Sequence, residues 1–403
     1  MGETRDVVVT GVGVVAPIGL TVQEYWTAVL SGRNGIRPLR RFDPGRLPSP
    51  LAGEVEGFVA RDHLPARLLP QTDLMTQYAL YAADRAIAES GFEPGSPLDV
   101  GVITASASGG FGFGQRELQH LWHDGPDHVS AFMSFAWFYA VNTGQISIRH
   151  DLRGPVGVMV TEQAGGLDAI AHARRKVAAG ARMMVTGGMD SSLCPYGLAA
   201  QVRSRRLSPV TDPAAAYLPF DRGARGHVPG EGGAILTLED AAAARARGAR
   251  GYGRIAGHGA SFDPPPGSGR PPALVRAVEA ALADAGVRPR DVALVIADAA
   301  ADPGLDAAEA EALAAVFGPR GVPVTAPKTL TGRLYSGAAP LDVVTALLAL
   351  REGVAPATAN VRDVDPELPV DLVLGDPRPV TGDAALVVAR GEGGFNSAMV
   401  VRR

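Results

Sequence analysis

One ordered set of elements occurs twice in this 403-residue chain. Gly157-Val-Met-Val-Thr, Gly166-Leu-Asp-Ala-Ile and Gly180 spell an apolar strand, a turn of small residues, a helix opened by Leu-Asp and a glycine stop. Val322-Pro-Val-Thr, Pro340-Leu-Asp-Val-Val and Gly353 spell them again. Upstream of each set, a short apolar run (Val100-Gly-Val-Ile-Thr-Ala and Val292-Ala-Leu-Val-Ile-Ala) follows an Ala-rich helix. Continuous Val/Ile runs mark strands buried on both faces, and their alternation with amphipathic helices marks parallel pairing. The expected fold is α/β, in two duplicated halves, residues 1–250 and 251–403, with the seam in Arg247-Gly-Ala-Arg-Gly-Tyr-Gly. Loop signals such as Asp263-Pro-Pro-Pro-Gly-Ser-Gly fit surface crossings and not a hinge.

The first set carries the chemistry. In Gly157-Val-Met-Val-Thr-Glu-Gln163-Ala-Gly-Gly-Leu-Asp168 a strand ends in a tight turn, two glycines follow, and a helix is expected from Leu167-Asp168. Such a construction exposes one side chain at a helix N-terminus, where a nucleophile normally sits. Gln163 occupies that position, and a neutral carboxamide has no ionisable proton and attacks poorly.

This turn resembles the elbow of ketosynthases, T-A-C-S/T-S/G-G-L-D, with Gln163 in the cysteine's place. Gly154-Pro155, Pro219-Phe220-Asp221-Arg222 with Gly226-His227-Val228-Pro229-Gly230-Glu231-Gly232-Gly233, Lys328-Thr-Leu-Thr-Gly332-Arg333 and Gly391-Glu392-Gly393-Gly394-Phe395-Asn396 resemble further ketosynthase motifs. Read back from Asp306-Ala-Ala-Glu309, the family's first catalytic histidine falls on Asp298; the second falls on Arg333. No histidine follows His258, and the one cysteine, Cys194, lies outside the elbow. All three triad positions are thus replaced. That pattern, with Ser134-Phe-Ala-Trp-Phe-Tyr-Ala-Val-Asn and Lys328-Thr-Leu-Thr-Gly-Arg-Leu-Tyr-Ser, resembles the chain length factors, the ketosynthase beta subunits of type II aromatic polyketide synthases. The resemblance implies a layered αβαβα thiolase fold with mixed, mainly parallel sheets. It also implies a ketosynthase alpha subunit as heterodimer partner, an acyl carrier protein as the second partner, and no cofactor.

Gln163 admits two readings: an amide that caps the helix through backbone N–H groups, or a malonyl decarboxylase that primes chain initiation, as in loading ketosynthases with glutamine here. Those enzymes keep both histidines, whereas Asp298 would repel an enolate that needs donors. Phe111, Gly114 and Leu118 share one face if their segment is helical. By resemblance they and Tyr196 line the tunnel that limits chain length. The aromatic run Phe132, Met133, Phe135, Trp137, Phe138 reads as core by composition and as an obligate interface by resemblance. His120, His123 and His128 lack a metal motif, and the Gly109–Gly114 glycines lack the partners of a nucleotide loop. Glu392 replaces a gating phenylalanine, and an ion pair with Arg333 or Lys328 would fill the unused pocket.

Composition narrows the remaining classes. The net charge is −4, charged residues are 20% of the chain, and no basic cluster stands out, so nothing points to nucleic acid or a membrane. The first residues match neither a signal nor a transit peptide, and one cysteine allows no internal disulfide. A cytoplasmic protein is expected.

Overall fold

In the computed structural model, which describes residues 6–403 except 46, 266 and 271, the Val/Ile runs become strands of one main sheet. These are β1 (Val7–Val15), β2 (Val100–Ala105), β3 (Val156–Met159), β4 (Met183–Asp190), β5 (Gly232–Asp240), β6 (Gly253–Phe262), β7 (Val292–Ile296), β8 (Pro323–Thr325), β9 (Asp371–Leu372), β10 (Ala384–Gly391) and β11 (Phe395–Arg402). Their order is β9-β8-β7-β10-β11-β6-β1-β5-β4-β2-β3. The duplication read from the sequence is visible in that order: β3-β2-β4-β5-β1 in one half matches β8-β7-β10-β11-β6 in the other. Pairing directions match as well. β2 pairs in parallel with β3 and β4, and β5 is antiparallel to β4 and β1. Likewise β7 is parallel to β8 and β10, and β11 is antiparallel to β10 and β6. The halves join through a short antiparallel contact, Val8 with Arg254 and Val9 with Gly253. The sheet is therefore mixed. Its parallel part consists of the short apolar runs, and the longer strands near the centre supply the antiparallel part.

Four helices complete the layers: α1 (Leu74–Ser90), α2 (Gly165–Ala178), α3 (Leu274–Ala285) and α4 (Ala338–Glu352). α1 covers β1 and β5 on one outside, and α3 covers β6 and β11 on the other. α2 and α4 lie between the halves and touch strands of both. Alternate residues of each strand accordingly enter different cores. Leu294 and Ile296 join the central core, while Val295 between them joins the outer one. Ala385 and Val387 alternate in the same way with Leu386 and Val388, and Leu236 with Ile235. α4 is buried on every side from Ala338 to Leu350, as a helix apolar all round must be. α2 and α4 meet at their N-terminal ends, where a Cβ on Gly166 would lie 2.3 Å from Pro340 Cδ. Among the described residues no helix is long and apolar enough to cross a membrane.

Both central helices start before the Leu-Asp pair. α2 begins at Gly165 after a 3-10 turn, Glu162–Ala164, and α4 at Ala338 after a 3-10 turn, Tyr335–Gly337. Asp168 then falls inside the first turn and Asp342 just beyond it, and both face other elements: Asp168 accepts from Thr161 (2.6 Å) and Ser397 (2.8 Å), and Asp342 pairs with Lys328 (2.9 Å).

Candidate functional site

The elbow forms where β3 runs out and α2 begins. Glu162 adopts φ +52°, a left-handed conformation uncommon for a residue with a side chain and one that stores strain. The next residue, Gln163, is 1% exposed. The end of β10 passes directly over the turn: a Cβ on Gly391 would stand 2.5 Å from Thr161 O, and the Glu392 N–H donates to Glu162 Oε2 (2.9 Å).

Asp298 arrives from the loop after β7. Its own N–H and that of Ala299 donate to Glu309 (2.7 and 2.9 Å), a buried carboxylate on the Pro303–Phe317 helix. That clamp holds a loop in which Ala299 and Ala301 take positive φ. Burial first, then the Asp298 charge, pushes the Glu309 carboxyl up to about 7. Arg333 arrives from the chain after the 3-10 turn Pro327–Leu330, held by the Arg333 N–H on Val228 O (2.8 Å) and the Gly230 N–H on Arg333 O (3.0 Å).

The three replaced triad positions meet on one carboxylate. Gln163 Nε2 donates to Asp298 Oδ1 (2.7 Å), the Arg333 guanidinium lies 3.3 Å from both carboxylate oxygens, and the Arg390 N–H donates at 2.9 Å. Arg333 also donates to Arg390 O (2.9 Å). Burial works against the Arg333 charge, but Asp298 and Glu162 more than offset it and hold the guanidinium protonated. Chemically the cluster is closed. Gln163 is no nucleophile, Arg333 does not release its proton near neutral pH, and the donors at the triad positions, Gln163 Nε2 and the Arg333 guanidinium, already face Asp298.

Several expectations change at this point. Gln163 is capped by a carboxylate and not by backbone N–H groups. Glu392 does not fill the pocket: its side chain is exposed, and only its backbone N–H enters the elbow. Arg333 instead pairs with Asp298, the alternative the sequence also allowed. Lys328 is buried but serves Asp342 (2.9 Å) and the Ala297 carbonyl. Burial, opposed by Lys328, pushes the Asp342 carboxyl up to about 6. Nor is the pocket full. A cleft of about 720 Å³ remains beside the cluster, lined among others by Phe111, Glu162, His227, Asp298, Arg333 and Tyr335. Sequence reading missed Glu162 and Tyr335, whose only signal is the strain of the turns they occupy. It also missed His227, although the residue lies inside one of the ketosynthase-like runs, Gly226–Gly233.

The segment expected to carry the tunnel is helical, Phe111–His123. Asp73 Oδ2, accepting the Phe113 N–H at 2.6 Å, holds its start. Phe111 and Tyr196 meet with ring centroids 5.1 Å apart, Gly114 is buried with Trp137 Cβ 3.4 Å from where its own Cβ would stand, and Leu118 is half exposed. Most of the aromatic run stays out of the core of this chain: Phe132, Trp137, Phe138 and Tyr139 are each 36–44% exposed, Met133 is half-buried, and Phe135 alone of these packs against the outer core. His120 and His123 both bond Asp124 on an exposed helix end.

Comparison with known proteins agrees with this geometry. The beta-ketoacyl synthase N-terminal domain model matches residues 4–244 and the C-terminal domain model residues 252–362. The actinorhodin polyketide putative beta-ketoacyl synthase 2 of Streptomyces coelicolor is 59% identical over 99% of this chain and 98% of its own. The tetracenomycin polyketide synthase ketoacyl synthase beta subunit of Streptomyces glaucescens is 59% identical over 100% of both. Among solved structures, the ishigamide ketosynthase/chain length factor superposes with a TM-score of 0.88 over 99% of both chains at 28% identity. The chain belongs to the beta-ketoacyl synthase family, and within it to the ketosynthase beta subunits, or chain length factors, of type II polyketide synthases.

Proposed function

We propose that this chain is the non-catalytic member of a ketosynthase heterodimer and sets the number of malonyl condensations in aromatic polyketide synthesis. The observation that carries this reading is the closed Gln163–Asp298–Arg333 cluster, in which every triad position is present and none is able to attack, abstract or stabilise. The alpha subunit supplies the chemistry, acting on chains held by an acyl carrier protein. This chain supplies a wall of the tunnel through Phe111, Gly114, Leu118 and Tyr196, whose bulk limits how far the product extends. Contact with the alpha subunit runs through Phe132, Met133, Phe135, Trp137 and Phe138; the exposure of Phe132, Trp137 and Phe138 on the single chain supports burial by a partner.

The test is co-expression with a ketosynthase alpha subunit and mass analysis of products made from malonyl-loaded carrier protein. Leu118→Trp is expected to shorten the product by at least one two-carbon unit. A product of unchanged length would sink the assignment. Carbon dioxide release by the isolated chain, abolished by Gln163→Ala, would replace it with the decarboxylase reading.

A further inference from the structure

The cleft beside the cluster has an end that the length-setting role does not use. His227 lines it and is 6% exposed, yet its Nε2 has no hydrogen-bond partner among the described residues. Burial, reinforced by Arg333 and Arg206, drives its pKa well below the usual histidine value. The ring is therefore a neutral imidazole with one N–H and one lone pair to offer.

Arg206 lines the same wall. Its backbone is engaged, the N–H on Ser204 Oγ (3.2 Å) and the carbonyl under the His227 N–H (2.9 Å). Its guanidinium, among the described residues, has no carboxylate partner. Of the other cations that line the cleft, Arg333 is buried and committed to Asp298, and Arg390 lies 3.8 Å from Asp263. Tyr335 closes this end, its ring 6.3 Å from His227 and its backbone held at φ +52°.

The backbone fixes these groups in advance. Ser208 N–H donates to His227 O (2.8 Å) and Gly226 N–H to Ala301 O (2.8 Å). Gly226 has φ +105°, and a Cβ there would strike Arg206 O at 2.2 Å. Only glycine lets the two segments lie this close. A buried polar group with no partner costs free energy, so the unpartnered His227 imidazole, locked beside a half-exposed Arg206 guanidinium that has no carboxylate partner among the described residues, marks a place built for a ligand.

The lining states what that ligand is. An unpaired guanidinium selects a carboxylate, and a neutral imidazole selects an adjacent hydroxyl or carbonyl. Glu162 and Asp298, which line the same cleft, repel a carboxylate and so leave Arg206 as its partner. The Tyr335 ring beside His227 adds an aromatic wall, and about 720 Å³ suits a small organic ligand. We propose that this cleft binds a hydroxylated aromatic carboxylate, its carboxylate on Arg206 and its neighbouring hydroxyl on His227. The proposal goes beyond the length-setting role and does not depend on it.

The test is calorimetric titration of 1-hydroxy-2-naphthoate into the full-length chain, in complex with its alpha subunit if it purifies only so. All substitutions are made in this chain alone. The acid is expected to bind, and its affinity to fall about tenfold when the carboxylate is replaced by the amide or when Arg206→Gln is introduced. Arg206→Lys should retain part of the affinity, and His227→Phe and His227→Asn should each weaken binding about threefold or more. Arg222→Gln, a surface residue paired with Asp363, should leave it unchanged. Equal binding of acid and amide, equal binding by wild type and Arg206→Gln, or no binding at millimolar ligand would each overturn the proposal. Circular dichroism of every variant separates loss of the site from loss of the fold. Product length enters neither outcome, so failure here is distinguishable from failure of the length-setting role.

Discussion

Arg333 and Asp298 form the buried ion pair on which the replaced triad positions converge. A buried ion pair contributes little net stability over an apolar replacement, but removing one partner leaves a charge stranded away from water. Arg333→Ala is therefore expected to cost about 3–5 kcal/mol in chemical denaturation, and Arg333→Met with Asp298→Asn together to recover most of that loss. If the single variant is as stable as wild type, the cluster has no structural role. The identities of the three substituted positions were legible in the sequence because the surrounding motifs set their register. Their partnership was not, because residues 163, 298 and 333 are far apart in the chain. Which of the candidate acids would face Arg333 depended on where β7 and β10 end. The same reason explains the misplaced Glu392: its backbone enters the elbow, while the open left-handed glycines that follow it, Gly393 and Gly394, carry the side chain outward.

At the scale of elements, the duplicated strand–turn–helix units are stapled by buried carboxylates. Asp190, at the end of β4, accepts from Ser106 Oγ (2.9 Å) and Ala107 N (3.0 Å) beyond β2, and from Ser336 N (3.0 Å) before α4. Burial, only partly countered by these donors, pushes it up to about 6, against an ordinary value of about 3.9 in the unfolded chain. The folded state thus holds the extra proton between these values, and the group's stabilisation is present below pH about 4 and lost as pH rises through about 6. The stability difference between wild type and Asp190→Asn should accordingly shrink by up to about 3 kcal/mol from pH 4 to pH 7. Urea unfolding at four pH values checks this, and a constant difference would contradict it. Helix contact is tested separately. Gly166→Ala drives a methyl into Pro340 and Ser336 O (2.6 Å), and overpacking of this kind is expected to cost about 1–3 kcal/mol, read as a lowered Tm.

The whole molecule presents an unfinished side. β3 is one of the two edges of the sheet, with Val156 65% exposed and Val160 and Ile148 also open, in the same half as the exposed aromatic run. A free, flat, apolar edge templates pairing with another chain. Val156→Lys or Trp137→Ser is expected to weaken association with the alpha subunit about tenfold or more in sedimentation equilibrium, while the isolated chain unfolds at an unchanged temperature. A drop in that temperature instead would mean that these residues stabilise the chain itself.

The sequence by itself determined the α/β class, the internal duplication, the ketosynthase frame and the absence of its nucleophile and histidines. Each of these is written in local periodicity or in motifs a few residues long, where one side chain is read against its neighbours. Tertiary structure alone decided that Asp298 gathers Gln163 and Arg333, that Lys328 answers to Asp342, and that a cleft remains open between Phe111 and His227. Those outcomes depend on distances between elements that no short motif spans, which are set by how the two halves of the main sheet pack on shared central helices and are written in no local pattern.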